Sequence, residues 1–261
     1  MKIYCCQFDI AWENKPANCA KVRSLLADTK PLPGSLVLLP EMFATGFSMN
    51  VSGIAEGKSS PTAEFLAQTA RELGVFLLGG LVTKSTDGRG LNQAVAFSPD
   101  GKELARYNKI QTFTLGGETA NYAAGNEIVT FTWQNIVVAP FICYDLRFPE
   151  LFRLAARRGP ELITVIAEWP VMRIHHWVAL LQARAIENQA YVAGVNRCGR
   201  DPKLIYNGRT LIVSPRGEIL ADAGDAERVI SAELNLDDLR TYRKEFPALP
   251  DMRQDYETLL R

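Results

Sequence analysis

Apolar residues along the chain fall into two kinds of run. Short unbroken runs have the length and make-up of strands buried on both faces: Leu36 to Leu39, Ile136 to Ile142, Leu162 to Ala167 and Tyr191 to Asn196. Between them lie longer stretches with helical spacing. In Pro61 to Leu73, the residues Phe65, Leu66, Thr69, Ala70 and Leu73 share one face, and Gly74 stops the helix. Pro149 to Arg158 and Trp177 to Gln189 read the same way, with Pro149 suited to a first turn. Val75 to Val82 is a further strand. Asn92 to Phe97, the turn Ser98-Pro99-Asp100-Gly101 and Lys102 to Tyr107 form a hairpin. Thr210 to Val213 is a late strand, a helix is expected around Cys19, and Met1 to Cys6 reads as a first strand rather than a leader. From Leu239 the chain turns polar and is broken by Pro247 and Pro250, so 239–261 is expected to be a C-terminal tail.

The second half echoes the first. Ala70-Arg71-Glu72-Leu73-Gly74 matches Ala185-Ile186-Glu187-Asn188-Gln189, and the hairpin at Ser98-Pro99-Asp100-Gly101 matches Ser214-Pro215-Arg216-Gly217. Ala70 and Ala185 lie 115 residues apart, and Ser98 and Ser214 lie 116 apart. So regular an offset predicts one α/β domain over 1–261, built from two pseudo-symmetric α-β-β-α halves whose sheets pack face to face between helices.

Composition removes several function classes. Lysine plus arginine number 29 and aspartate plus glutamate also 29, which leaves no electrostatic footprint for nucleic acid. No apolar run is long enough to span a membrane. The five cysteines have no paired spacing beyond Cys5-Cys6, which fits a reduced, cytoplasmic protein. Only two histidines are present, His175 and His176, so a three-histidine zinc site is excluded. A cysteine–histidine hydrolase would have to use one of those two; both sit at a helix start and read as structural.

Ligands bind beyond the carboxyl ends of strands in α/β sheets. Reactive side chains at such ends are therefore the candidates: Glu41 after Leu36 to Pro40, Cys143 after Ile136 to Ile142, Glu168 after Ile163 to Ala167, and Lys109 after Tyr107. Charges at the ends of buried runs are costly unless paired or used. Cys143 lies between a strand and a helix, where a helix N-terminus would favour the thiolate. Cys5 and Cys6 should point to opposite faces of the first strand as core. Cys19 on a helix and Cys198 in a loop look incidental.

These segments resemble the nitrilase superfamily of carbon–nitrogen hydrolases over nearly the whole chain. Leu39-Pro40-Glu41-Met42-Phe43-Ala44-Thr45-Gly46-Phe47 resembles its glutamate motif, Tyr107-Asn108-Lys109 its lysine motif, and Cys143-Tyr144-Asp145-Leu146-Arg147-Phe148-Pro149-Glu150 its cysteine motif. Glu118 matches the place of a second glutamate. The resemblance implies a four-layer α-β-β-α sandwich and a thiol amidase. Glu41 would be the general base, Cys143 the nucleophile that forms a thioester, and Lys109 with the Tyr144 backbone N–H the oxyanion donors. Glu118 would orient Lys109 or the attacking water, and no metal or organic cofactor would be needed.

Cys143 to Glu150, the Trp169-Pro170 to His176-Trp177 stretch and Ala183 to Gln189 are most similar to the ω-amidase branch, which hydrolyses 2-oxoglutaramate or 2-oxosuccinamate. Arg173 is then the expected partner of the substrate carboxylate, with Tyr144, Glu168 and Trp169 as further substrate-binding residues. Two positions depart from the family pattern. Gln111 stands where histidine is common, and Glu168 stands where asparagine is common. Glu168 brings negative charge toward an anion site unless it is paired, with Arg173 as the expected partner. Other amides fit the same machinery: a carbamoylated polyamine, an aliphatic amide or deaminated glutathione. A non-catalytic oligomeric scaffold is the reading from another class. The resemblance also implies a homodimer, for which Phe148, Leu151, Phe152, Tyr242 and Phe246 are candidate surface residues unless they belong to the core.

Overall fold

The structure is a computed structural model that describes residues 1–57, 60–253 and 255. The strands in chain order are β1 (Lys2–Gln7), β2 (Leu36–Leu38), β3 (Phe76–Lys84), β4 (Gly90–Phe97), β5 (Glu103–Asn108), β6 (Phe131–Trp133), β7 (Ile136–Ile142), β8 (Leu162–Ala167), β9 (Tyr191–Asn196), β10 (Cys198–Arg200), β11 (Ile205–Asn207), β12 (Leu211–Val213), β13 (Ile219–Asp222) and β14 (Arg228–Glu233). The helices are α1 (Lys15–Thr29), α2 (Val51–Ile54), α3 (Pro61–Leu73), α4 (Glu118–Asn121), α5 (Pro149–Ala156), α6 (Ile174–Asn188) and α7 (Leu236–Glu245).

Two six-stranded sheets result, ordered β14-β1-β2-β3-β4-β5 and β13-β12-β9-β8-β7-β6. Strand alternation sorts each residue to a layer. Ile3, Cys5, Leu36 and Leu38 join the core shared with Val138, Leu162 and Ile166 of the second sheet. Their neighbours Tyr4, Cys6 and Val37 face the other way, against Val22 and Leu26 of α1 and Phe65, Leu66 and Ala70 of α3. Phe152 of α5 and Leu181 and Ala185 of α6 cover the far face of the second sheet. The expected four-layer sandwich is what forms, and Cys5 and Cys6 do face opposite sides.

The repeat is visible bond by bond. Running β1-β2-β3-β4-β5 and β7-β8-β9-β12-β13, each half has parallel pairs followed by antiparallel ones. Gly101 N donates to Ser98 O and Gly217 N to Ser214 O, the same turn twice. Both α3 and α6 end in a left-handed residue, Gly74 and Gln189. Local signals place the first of these helices well: Ser60 caps it by accepting from Ala63 N, and Pro61 opens it.

Three expectations need correction. Helix α6 begins at Ile174, so His175 and His176 are inside its first turn. Cys198 lies on β10 and is buried, not in a loop. The segment expected to be a tail instead continues into α7, whose Leu236 and Leu239 are buried and whose Arg243 donates to the carbonyls of Gln189 and Pro160. Residues 254 and 256–261 of that expected tail lie outside the described residues.

Candidate active site

The strand ends converge on one cavity of about 320 Å³, lined by Glu41, Lys109, Cys143, Tyr144, Glu168, Trp169 and Arg173 among others. Each arrives by a different element. Glu41 follows β2 on a tight turn in which Met42 is left-handed, with φ 42°. Gly80 of β3 makes room for that turn: a Cβ there would sit 2.4 Å from Met42 N and 2.7 Å from Glu41 Cα. Lys109 ends the β4–β5 hairpin, its N–H donating to Asn92 O.

Lys109 and Glu41 are shut off from solvent. Lys109 Nζ donates to Glu41 Oε1 and to Glu118 Oε2, each at 2.9 Å. Two of its three protons are thereby fixed, which leaves one for a ligand. Despite burial, the facing carboxyls Glu118 and Glu41 hold the ammonium pKa well above its usual value. Glu118 also accepts from Asn92 Nδ2 and Phe113 N and does not line the cavity. Its contacts are thus with Lys109, Asn92 and the Phe113 backbone. Asn92 escaped the sequence reading. Its Nδ2 bridges Glu41 Oε1 at 2.7 Å and Glu118 Oε1 at 2.9 Å. The available signal was a polar pair, Asn92-Gln93, in an otherwise apolar strand.

Cys143 sits at the sharp end of β7 with φ 45°, a left-handed conformation that a side chain rarely adopts. The chain continues as a five-residue 3₁₀ turn, Cys143–Arg147, and α5 begins only at Pro149. The expectation of a thiolate favoured by a helix terminus is thus overturned. Burial first, and then Glu41, push the thiol well up, with Lys109 pulling the other way. The thiol waits protonated beside a carboxyl that can take its proton. Asp145, two residues on, pins the turn by accepting from Tyr107 Oη, Gln111 N and Ile142 N. Gln111 thus serves through its backbone.

Glu168 is paired, but not with Arg173. Its Oε2 meets Arg197 Nη1 at 3.0 Å. Arg197 is fully buried and also donates to Asp9 Oδ1, Ile10 O and Arg200 O. Arg173 instead lies over the Phe113 ring, and Arg147 lies over Trp169 with Nη2 at 3.2 Å from His176 Nδ1. Both guanidiniums line the cavity, and neither has a carboxylate partner among the described residues. Burial and then Arg173 lower the pKa of Arg147. Arg147 belongs to the cysteine motif, yet nothing in the sequence marked it as a binding residue. Trp169 is held by its indole N–H to Arg173 O, 2.8 Å. Neither histidine lines the cavity.

Comparison with known proteins agrees with this geometry. A family model for carbon–nitrogen hydrolases matches residues 2–244. A 2-oxoglutaramate amidase of Bacillus subtilis is 32% identical over 97% of this chain and 98% of its own. An omega-amidase of Escherichia coli K12 is 36% identical over 96% of both chains. A crystal structure of a CN-hydrolase superfamily protein from Xanthomonas campestris, with an arsenic adduct in its active site, superposes with a TM-score of 0.91 at 32% identity, covering 97% of each chain.

Proposed function

The chain belongs to the carbon–nitrogen hydrolase family, and on that premise we propose that it cleaves the terminal amide of a small 2-oxo-dicarboxylic acid monoamide, 2-oxoglutaramate or 2-oxosuccinamate. It is an amide hydrolase acting on small molecules. The observation that carries the substrate class is the guanidinium pair. Arg147 and Arg173, without acidic partners among the described residues, share the cavity that holds Cys143. Two unneutralised cations at one wall suit a carboxylate held by planar N–H forks. A carbamoylated polyamine would bring more positive charge against them.

In the reaction, Cys143 Sγ attacks the amide carbon while Glu41 takes the thiol proton. The oxyanion is stabilised by the third proton of Lys109 and the Tyr144 N–H. As the C–N bond breaks, Glu41 returns its proton to the nitrogen, which departs as ammonia. A thioester remains. Water attacks it, Glu41 accepts the water proton, and the C–S bond breaks to release the acid. The proton then returns to sulfur. Glu118 and Asn92 keep Glu41 and Lys109 in register throughout.

We place the enzyme in the cytoplasm, where its unpaired cysteines and nucleophilic thiol stay reduced. No helix among the described residues is long and apolar enough to cross a membrane. We also propose a homodimer. Leu151 and Phe152 belong to the core, so of the expected surface residues Phe246 is the most exposed, and Leu154 of α5 and Ile186 of α6 are exposed as well. Light scattering on the purified chain reads the assembly state.

Ammonia release from 2-oxoglutaramate tests the function. Wild type should release it and Cys143→Ala should not. A wild type that leaves 2-oxoglutaramate intact, while Cys143 is still alkylated faster than the other cysteines, overturns the substrate and keeps the nucleophile.

A further inference from the structure

Glu168 ends β8 at the cavity wall with its side chain closed to solvent. Oε2 accepts from Arg197, whereas Oε1 is buried and has no hydrogen-bond partner among the described residues. Arg197 has a second counter-charge, since its Nη2 meets Asp9 Oδ1 at 2.7 Å. On the other side, the Glu168 backbone N–H donates to Glu41 Oε2 at 2.9 Å, which sets the residue beside a second carboxyl. Two such groups do not both ionise readily. Glu168, which has one hydrogen-bond donor where Glu41 has three, is the carboxyl that carries a proton. Within Glu168 it settles on Oε1, because Oε2 faces the guanidinium protons.

The wider surroundings agree. Burial, the largest influence, outweighs the opposing pull of Arg197, Glu41 adds to it, and the carboxyl pKa is pushed up to about 8. The Phe47 backbone N–H favours the charged form but makes no hydrogen bond to Oε1. Tyr206 of β11 covers the Arg197 guanidinium and gives its own proton to Asp201 Oδ2. Lys109 is engaged by Glu41 and Glu118.

We propose that Glu168 is a specificity-determining residue that reads the 2-position of the substrate, its Oε1–H donating to a 2-oxo oxygen and turning away a 2-ammonium group. The inference rests on the substrate proposed for this site. The proposal puts the amide at Cys143 and the carboxylate at Arg147 and Arg173, with the 2-carbon between them against Glu168 and Trp169, which line the same cavity. An oxo group offers only acceptors. An ammonium offers only donors, which would meet the Oε1 proton head-on. The same skeleton is thus accepted as an oxo acid and refused as an amino acid, and the acidic side chain is reconciled with an anionic substrate.

The test compares 2-oxoglutaramate with glutaric acid monoamide, which lacks the 2-oxo oxygen, on wild type, Glu168→Ala and Glu168→Gln. Glu168→Ala should lower the ratio of kcat/KM for the oxo substrate to that for the deoxy substrate by about tenfold or more. Glu168→Gln should recover most of the loss, because its carbonyl faces Arg197 and its NH₂ takes the place of the Oε1 donor. Wild type should lose its oxo-over-deoxy preference as pH rises from 7 to 9, and Glu168→Gln should keep it, a readout that stands even if the alanine variant fails to fold. Equal losses on both substrates, a glutamine variant as poor as alanine, or a pH-independent preference in wild type each overturn the proposal alone. A wild type inactive on both amides overturns the substrate itself, and the proposal falls with it.

Discussion

Glu41 and Glu168 end the corresponding strands, β2 and β8, of the two halves of the repeat. Both carboxyls are buried and each touches a buried cation, yet they are set to different work. Glu41 accepts three N–H donors, from Lys109, Asn92 and the Glu168 backbone. Glu168 accepts one, from Arg197, and keeps an oxygen without a hydrogen-bond partner among the described residues. Duplicated architecture therefore supplies two carboxyls at one cavity, and the number of donors aimed at each is what the proposed division into base and acid rests on. Environment, more than residue type, sets the role.

The comparison is broken most severely at Glu41. Glu41→Gln should lower kcat by roughly a thousandfold or more, since it removes the proton acceptor for both halves of the reaction. Glu168→Gln should keep kcat within about tenfold, because the substituted amide still donates where Oε1 stood. Steady-state ammonia release on both variants decides it. Losses of equal size would erase the division of roles.

The two halves were not equally legible in the sequence. Strand ends and helix caps carry local signals, so Glu41, Lys109, Cys143 and the repeat could be read from spacing and motif. What joins the halves could not. The Glu168–Arg197 pair spans 29 residues and Arg197 reaches back 188 residues to Asp9, so its partner depends on how the sheets stack. Arg173, nearer in sequence, was the natural guess. Asn92 was hidden for a similar reason, since a buried amide shows its purpose only once two carboxyls 26 and 51 residues away converge on it. The protonated thiol was misread because the turn after Cys143 looks helical in sequence, whereas burial and Glu41 govern its proton.

Next in size is the cation of the second pair. Arg197→Met should destabilise the fold by about 1–3 kcal/mol in urea unfolding, because it leaves Glu168 Oε2 and the carbonyls of Ile10 and Arg200 without their buried donor. A loss below about 1 kcal/mol would mean that a neutral Glu168 scarcely needs Arg197, and would sharpen the contrast with the ionic Lys109 cluster.

Glycines behind the two strand ends allow a subtler break. An added Cβ at Gly80 meets the Glu41–Met42 backbone, whereas one at Gly194 of β9 meets the Leu181 side chain at 2.4 Å. Both alanine variants should cost about 1–3 kcal/mol from overpacking. Only Gly80→Ala should also cut kcat markedly, because a backbone cannot swing aside and Glu41 must move. Thermal melts paired with kcat separate the two effects, and equal kcat losses would show that the cavity responds to overpacking in either half.

The smallest effect bears most directly on which carboxyl holds the proton. Glu168 has a folded pKa pushed up to about 8, mainly by burial, against an ordinary unfolded glutamate near ~4.3. Between those values the folded chain binds more protons than the unfolded one, so stability falls as pH rises through the window. The contribution is complete below the unfolded value and gone above about 8. Asp145, raised to about 6 by burial, slopes the same way but finishes earlier. The interval from pH 6 to 8 therefore isolates Glu168 when wild type is compared with Glu168→Gln, in which every other titrating group is unchanged. Urea midpoints should fall with pH more steeply in wild type than in the variant across that interval. Parallel lines would mean that Glu168 is ionised throughout, that Glu41 and Glu168 are electrostatic equals, and that the difference between the halves lies in geometry alone.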